Sequence, residues 1–425
     1  MKKVVKKVAL LLIVFGIGVG VTLLYMNNKY KVYEEEEPKQ IKKHVDTISM
    51  MLETEAGSGN YEMTTRESWP AEGYKFNNEL SKCENGGEVY WDNENKKVFM
   101  SSNSSDKCYI YFDIIPTIAD FCSSGNNLSS CLITLANNGG SNKTNIYYHD
   151  TNLVNGAEDN SYRYAGASEN VNNFVCFGTN TTPCPTDNLY RIIGVFGDQV
   201  KLIKYDYANS NLLGTDGASD RDRSPYAPYY KGSLTTIRLY YWNSSTQDNT
   251  WSKSNLNKVN LNTNFINNIR SEWAAKIAET TWKVGGNTYD NIQEQPAKIA
   301  YQNEIKNPAA DTKCEAKIGL MYVSDYMYAA SPTYWTYVGY NYSDSTKDYR
   351  AATTSNWMYM GHEEWTITPD SSESDYVFIA RLTGQLYSYS LAADRNAVRP
   401  VLYLKASVAY AGGSGTKDSP ITLAD

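Results

Sequence analysis

The side chains best suited to act on another molecule here are clustered aromatics. Met321 to Asp344, "MYVSDYMYAASPTYWTYVGYNYSD", holds seven tyrosines and one tryptophan, and "NWMYMGHEEW" follows shortly after. Past Ser331-Pro332 the rings crowd a loop where no strand period buries them all. Solvent-facing tyrosine and tryptophan stack on sugars or peptide side chains, and neighbouring amides adjust their hydrogen bonds to the ligand. The loops Thr333–Tyr342 and Trp365–Tyr389 are therefore expected to form one recognition face. Its ligand-binding residues would be Tyr334, Trp335, Tyr337, Tyr340, Asn341, Tyr342, Trp365, Tyr387 and Tyr389. Compositional drift in a β-rich exported chain explains 36 tyrosines beside 10 phenylalanines equally well, and core packing would claim some of the rings.

Chemistry that makes or breaks bonds is harder to find. The three histidines, His44, His149 and His362, have no second histidine at metal-ligand spacing. "GHEEWT" is not the two-histidine helix of a zinc protease, and "GGSGT" at Gly412 lacks the last glycine of a nucleophile elbow. Carboxylates are plentiful enough for a glycosidase pair, yet nothing in the sequence singles out two of them. No catalytic residue, metal ligand or cofactor is assigned. Calcium is allowed for without a specific motif, at "DGASD" (Asp216) and "DRDRSP" (Asp220), where a solvated loop is the simpler reading. A glycan-acting hydrolase and a pilin-like structural subunit remain alternatives to recognition, although a "GFTLIE"-like processing signature is missing.

Seven cysteines suit an oxidising compartment. Spacing suggests Cys122 with Cys131, Cys176 with Cys184, and Cys83 with Cys108 across a predicted hairpin, leaving Cys314 as a structural thiol. The formal charge is −7, although the first thirty residues carry five lysines and no acid. The remainder is more acidic still, which argues against nucleic acid as a partner.

These groups must be positioned by elements outside a membrane. Residues 1–30 pair a lysine-rich start with Val8 to Met26, nineteen residues without a charge. At ~1.5 Å per residue this stretch spans about 28 Å, close to a hydrocarbon core of ~30 Å. No small-residue cleavage site follows, so the expectation is one transmembrane anchor, lysines inside, the bulk of the chain outside. Residues 31–60 read as a stalk helix and linker, with Ile41, Val45, Ile48 and Leu52 at helical spacing between Pro38 and Gly57. Residues 61–115 form a small antiparallel β module around "GEVYWDNENKKVFMSS", and 116–145 a helix followed by the linker "ANNGGSNKTN". Residues 146–425 make the main domain, opened by the hairpin "NLYRIIGVFGDQVKLIKYDYA" around Gly197-Asp198. Short helices follow, with Leu256, Val259, Leu261, Phe265, Ile266, Ile269, Trp273 and Ile277 inward. The fold class is α+β.

"YRIIGVFGDQVKLIKYD", "TWSKSNLNKVNLNTNFINN", "AKIGLMYVSDY", "EWTITPDS" and "NAVRPVLYLKASV" occur in that order. In this the chain resembles a domain-of-unknown-function family of bacterial surface proteins, over roughly Ile146 to Asp425. That family is similar to C-type-lectin-like folds, including formylglycine-generating-enzyme-like and retroelement-diversified receptor domains. The resemblance implies a C-type-lectin-like main domain in a single-pass protein of a bacterial plasma membrane. It would bind a glycan or protein as an adhesin or receptor, through loops preceding the closing strand. It also implies that "YRIIGVF" lies beside "PVLYLKASV". Pro400 would then open the last strand, where a missing N–H costs no ladder bond. Arg399 would end the preceding loop and pin it through a carboxylate or backbone carbonyls, a structural pair rather than a binding one.

Overall fold

The computed structural model describes residues 47–64, 73–92, 95, 97–101, 105–222, 236–243, 248–308 and 313–424. The anchor segment Val8–Met26 lies outside them, and no helix among the described residues is long and apolar enough to cross a membrane. The chain is mixed α+β and rich in sheet. It divides into two compact units, one of residues 1–49 with 78–110 and one of 50–77 with 111–425.

The stalk-helix reading needs correction where it can be seen. Thr47–Glu53 is a strand, and its Met51–Glu53 part pairs antiparallel with Tyr61–Met63. A helix would have turned Ile48 inward. Instead Ile48, near the start of the strand, is 45% exposed, and Met50 and Glu53 are the residues buried. In the first unit, the expected hairpin pairs Glu88–Asp92 with Lys97–Ser101, Tyr90 opposite Phe99 with rings stacked at 5.0 Å. Cys83 and Cys108 are bonded there.

In the second unit, Asn127 caps the helix Leu128–Gly139 by accepting from the Ser130 N–H. The expected linker is shorter than its composition suggests, because this helix runs to Gly139 and a helical turn occupies Ser141–Thr144. Cys122–Cys131 and Cys176–Cys184 are bonded, and Cys314 is free.

The central sheet runs Ile318–Gly319, Val401–Leu404, Gln199–Lys204, Leu189–Phe196, Tyr162–Tyr164, Ile146–Tyr148, with Phe174–Cys176 also on Leu189–Phe196. Ile192 sits opposite Leu202, and Leu202 opposite Leu402. The strands of Ile192 and Leu402 therefore share a sheet, but Gln199–Lys204 lies between them. The hairpin partner, not "YRIIGVF", is the neighbour of the closing strand. A bulge separates Ile192 from Gly194, where a Cβ would fall 2.3 Å from the Tyr162 carbonyl oxygen, so only glycine fits.

Helices and smaller sheets pack on this frame. Leu256–Phe265 is a π-helical stretch whose asparagines do the joining. Asn260 donates to the Leu213 and Asp216 carbonyls, while Asn262 donates to Ile318 O and accepts from the Lys317 and Ile318 N–H groups. Ala218–Asp222, Thr236–Tyr241 and Arg395–Asn396 form one small sheet; Glu364–Pro369, Tyr376–Ala380 and Leu386–Leu391 form another. Seven tryptophans (242, 251, 273, 282, 335, 357 and 365) are fully buried, so much of the aromatic richness is core.

Candidate functional site

Two of the candidate binding residues are scaffold. Trp335 is 0% exposed, its indole N–H donates to Ala330 O at 2.9 Å, and its ring packs edge-on with Tyr147 and Tyr328. Trp365 is likewise 0% exposed and donates to Tyr240 O at 2.8 Å. Both meet the requirement that a buried indole find an acceptor. Neither can touch a ligand in this conformation, so both assignments are corrected to packing.

The remaining loop residues divide in two. Tyr334 and Tyr337 meet edge to face at 5.1 Å and pack partly buried against the core. Tyr340 and Tyr387 come together at 5.4 Å, and both meet Tyr289, at 6.3 and 5.2 Å. The Arg350 guanidinium lies 5.3 Å from the Tyr340 ring centroid, and that of Arg381 lies 5.3 Å from Tyr387's. Tyr342 stands 82% exposed beyond them. Tyr389 belongs to the strand Leu386–Leu391, and its side chain lies outside the described ones.

The loop holding Tyr340 is fixed from below. Leu386 N–H donates to Gly339 O, which joins the two predicted loops, and Gly339 N–H donates to Ile292 O. Buried Asp348 accepts from the Asn341 N–H at 2.7 Å and from Arg350, which also reaches Asn341 O. The Asn341 side chain accepts from Ser343 and Asp344 N–H, so it shapes the turn rather than offering its oxygen outward. Sequence reasoning missed Tyr289, Arg350 and Arg381. Tyr289 begins a helix capped by Thr288, about fifty residues before Tyr340, and nothing local signals their meeting.

Arg399 is 1% exposed, donating through Nε to Glu364 at 2.7 Å and through a terminal nitrogen to Met358 O at 2.7 Å. Arg191 donates to Asn173, Ser168, Val171 O and Trp357 O. Two arginines thus grip successive carbonyls, Trp357 and Met358, and hold that loop against the sheet. Burial pulls the Arg191 guanidinium down to about 9. Pro400 precedes the strand Val401–Leu404, and its carbonyl accepts from Lys204 N–H.

The buried acids are committed. Asp325 takes Lys201 at 2.5 Å, faces Arg163 at 3.8 Å and accepts from the Tyr322 N–H at the start of its own helix. Glu304 accepts from Val323 and Ser324 N–H at that same terminus and from the Thr368 hydroxyl. Desolvation pushes the Glu304 carboxyl up to about 7, against the pull of those donors. His149 is fully buried, accepts from Ala157 N–H through Nδ1, and is held well below its usual pKa by desolvation. His362 contacts Glu363 O at 3.2 Å. Among the described residues one trio has metal-type ligand atoms close together, Cys83, Asp106 and Cys108, but its two cysteines form a disulfide. Asp220 of the calcium-type stretch pairs with Arg238 at 2.5 Å.

No family model matches the chain, and neither a curated protein nor a solved structure matches it.

Proposed function

We propose that this chain is a membrane-anchored extracellular recognition protein, an adhesin or receptor with a C-type-lectin-like main domain. Its ligand is a glycan or a protein. The observation that carries the reading is the partly exposed cluster of Tyr289, Tyr340 and Tyr387, flanked by Arg350 and Arg381 on a braced loop. Tyrosines bring contact area at low entropic cost, and a fixed loop keeps them positioned for binding. Three disulfides fit an oxidising exterior. Val8–Met26 supplies the anchor, and Tyr342 extends the face.

The test is binding of the purified full-length chain to glycan and protein arrays, followed by Tyr340→Ala and Tyr387→Ala. Each variant should weaken the ligand found by about 2 kcal/mol, the size of a hot spot, with an unchanged melting temperature. Equal binding by both variants would place recognition elsewhere, and the absence of any ligand on either array would count against the recognition reading.

A further inference from the structure

A second surface offers a defined hollow. The strand Ile146–Tyr148 is the outer edge of the central sheet. Beside it lies a groove of about 430 Å³, lined by residues that include Asn137, Ser141, Tyr147, Tyr148, Asp150 and Tyr162. This volume falls within the ~300–1,000 Å³ of small-ligand clefts.

The floor and wall are aromatic. Tyr148 and Tyr162 lie opposite one another on paired strands, their rings stacked with centroids 4.5 Å apart and planes at 25°. Tyr148 is 40% exposed, so the pair presents ring surface to solvent. On the other face of the same strand, Tyr147 packs its ring against Trp335 at 5.5 Å, whose indole N–H is held by two hydrogen bonds, and this anchors the edge strand. The rim is polar and carries both donors and acceptors. The Asn137 oxygen takes the Tyr162 hydroxyl at 3.3 Å, which leaves the amide N–H groups for a ligand. Ser141 adds a hydroxyl. Asp150 accepts three bonds from Asn152 and Leu153, which hold its carboxylate in place with lone-pair capacity remaining. The lining contains one negative charge and no lysine or arginine. It therefore has no cation to hold a phosphate or carboxylate.

We propose that this groove is a saccharide-binding site for a neutral pyranose, distinct from the Tyr340 cluster. The ligand would lay the C–H face of one ring on the Tyr148–Tyr162 stack. Its hydroxyls would donate to Asp150 and accept from Asn137 and Ser141. The braced floor means little ordering is needed on binding.

The experiment is saturation-transfer NMR on the purified full-length chain, held in a detergent without a sugar headgroup. The probes are millimolar lactose, cellobiose and N,N′-diacetylchitobiose, with sialyllactose as the anionic comparison. At least one neutral disaccharide should receive saturation on its ring C–H protons. Tyr148→Ala should weaken that binding about tenfold or more, Tyr148→Phe should preserve it, and Tyr340→Ala should leave it unchanged. The last comparison separates failure of this site from failure of the tyrosine-cluster reading. The proposal is overturned by silence from all three neutral sugars, by tighter binding of sialyllactose, by parental affinity in Tyr148→Ala, or by a signal that disappears with Tyr340→Ala.

Discussion

Removing the carboxylate from the Glu364–Arg399 pair should cost far more than removing a surface charge. Both side chains are almost fully buried, so neither charge has water to fall back on. Glu364→Gln leaves Arg399 with a neutral amide oxygen and the Met358 carbonyl, with buried Asp206 the remaining attraction and Arg191 a repelling neighbour. Breaking a buried pair in this way costs about 3–5 kcal/mol, and a second buried guanidinium nearby favours the upper end. Arg399→Met should cost less. Burial already pushes the Glu364 carboxyl upward against the pull of Arg399, so an orphaned glutamate escapes its charge by taking a proton, whereas arginine has no such route. The penalty of Arg399→Met should therefore shrink as pH falls, and that of Glu364→Gln should not. In Glu364→Gln/Arg399→Met the uncompensated charge is gone, and the double variant should be more stable than Glu364→Gln alone. Equilibrium urea unfolding with the disulfides intact, followed by tryptophan fluorescence, reads all four proteins. A loss below about 1 kcal/mol for Glu364→Gln, or single-variant costs that add within ~0.5 kcal/mol, would refute the reasoning.

Glu304 should make stability depend on pH in the unusual direction for an acid. Its folded-state value of about 7 exceeds the ordinary one, so the folded chain holds the proton more tightly than the unfolded chain. This contribution is full below about pH 4 and is lost as pH rises to 7, on the order of 3 kcal/mol in total. Glu304→Gln should flatten that segment of a stability-against-pH profile, and an unchanged slope would contradict the assignment. Trp335→Ala should cost about 3–5 kcal/mol through the cavity it leaves, whereas Tyr342→Ala should stay within ~0.5 kcal/mol; thermal melts that rank the two equally would contradict this packing. Alkylation of the denatured, unreduced chain followed by peptide mapping should label Cys314 alone, and label at any of the other six cysteines would remove a disulfide.

Legibility followed how local the signal was. The hairpin around Gly197-Asp198 has its turn, alternation and partner within sixteen residues, and all three disulfides join cysteines close in sequence. For Arg399 the sequence left the partner open between a carboxylate and backbone carbonyls, because Glu364 and Met358 lie 35 and 41 residues away. The stretch around Ile48 misled because short apolar spacings fit a helix or a strand until a neighbouring strand decides. Trp335 and Trp365 misled for a related reason. Both segments looked like exposed loops, yet Trp335 follows a helical turn and Trp365 lies in the strand Glu364–Pro369, and each buries an indole whose acceptor, Ala330 or Tyr240, no spacing rule identifies. The same limit hid Tyr289 and the groove beside Tyr148, which exist only because distant segments meet.

The place of Val401–Leu404 in the central sheet also constrains how the chain can be made. Gln199–Lys204 leaves the ribosome long before the strand that will cover its open side, so Leu202 waits for Leu402. Meanwhile the cysteines, 8, 9 and 25 residues apart, can be stapled as each short segment emerges. The half-built sheet exposes an unpaired apolar edge, the kind that recruits a strand from a neighbouring molecule. Closure arrives only with the final segment, when Leu128 N–H donates to Val408 O and Ile421 N–H donates to Phe174 O. A chain halted before Arg399 would thus carry its local crosslinks and an open seam, and self-association would be its characteristic failure.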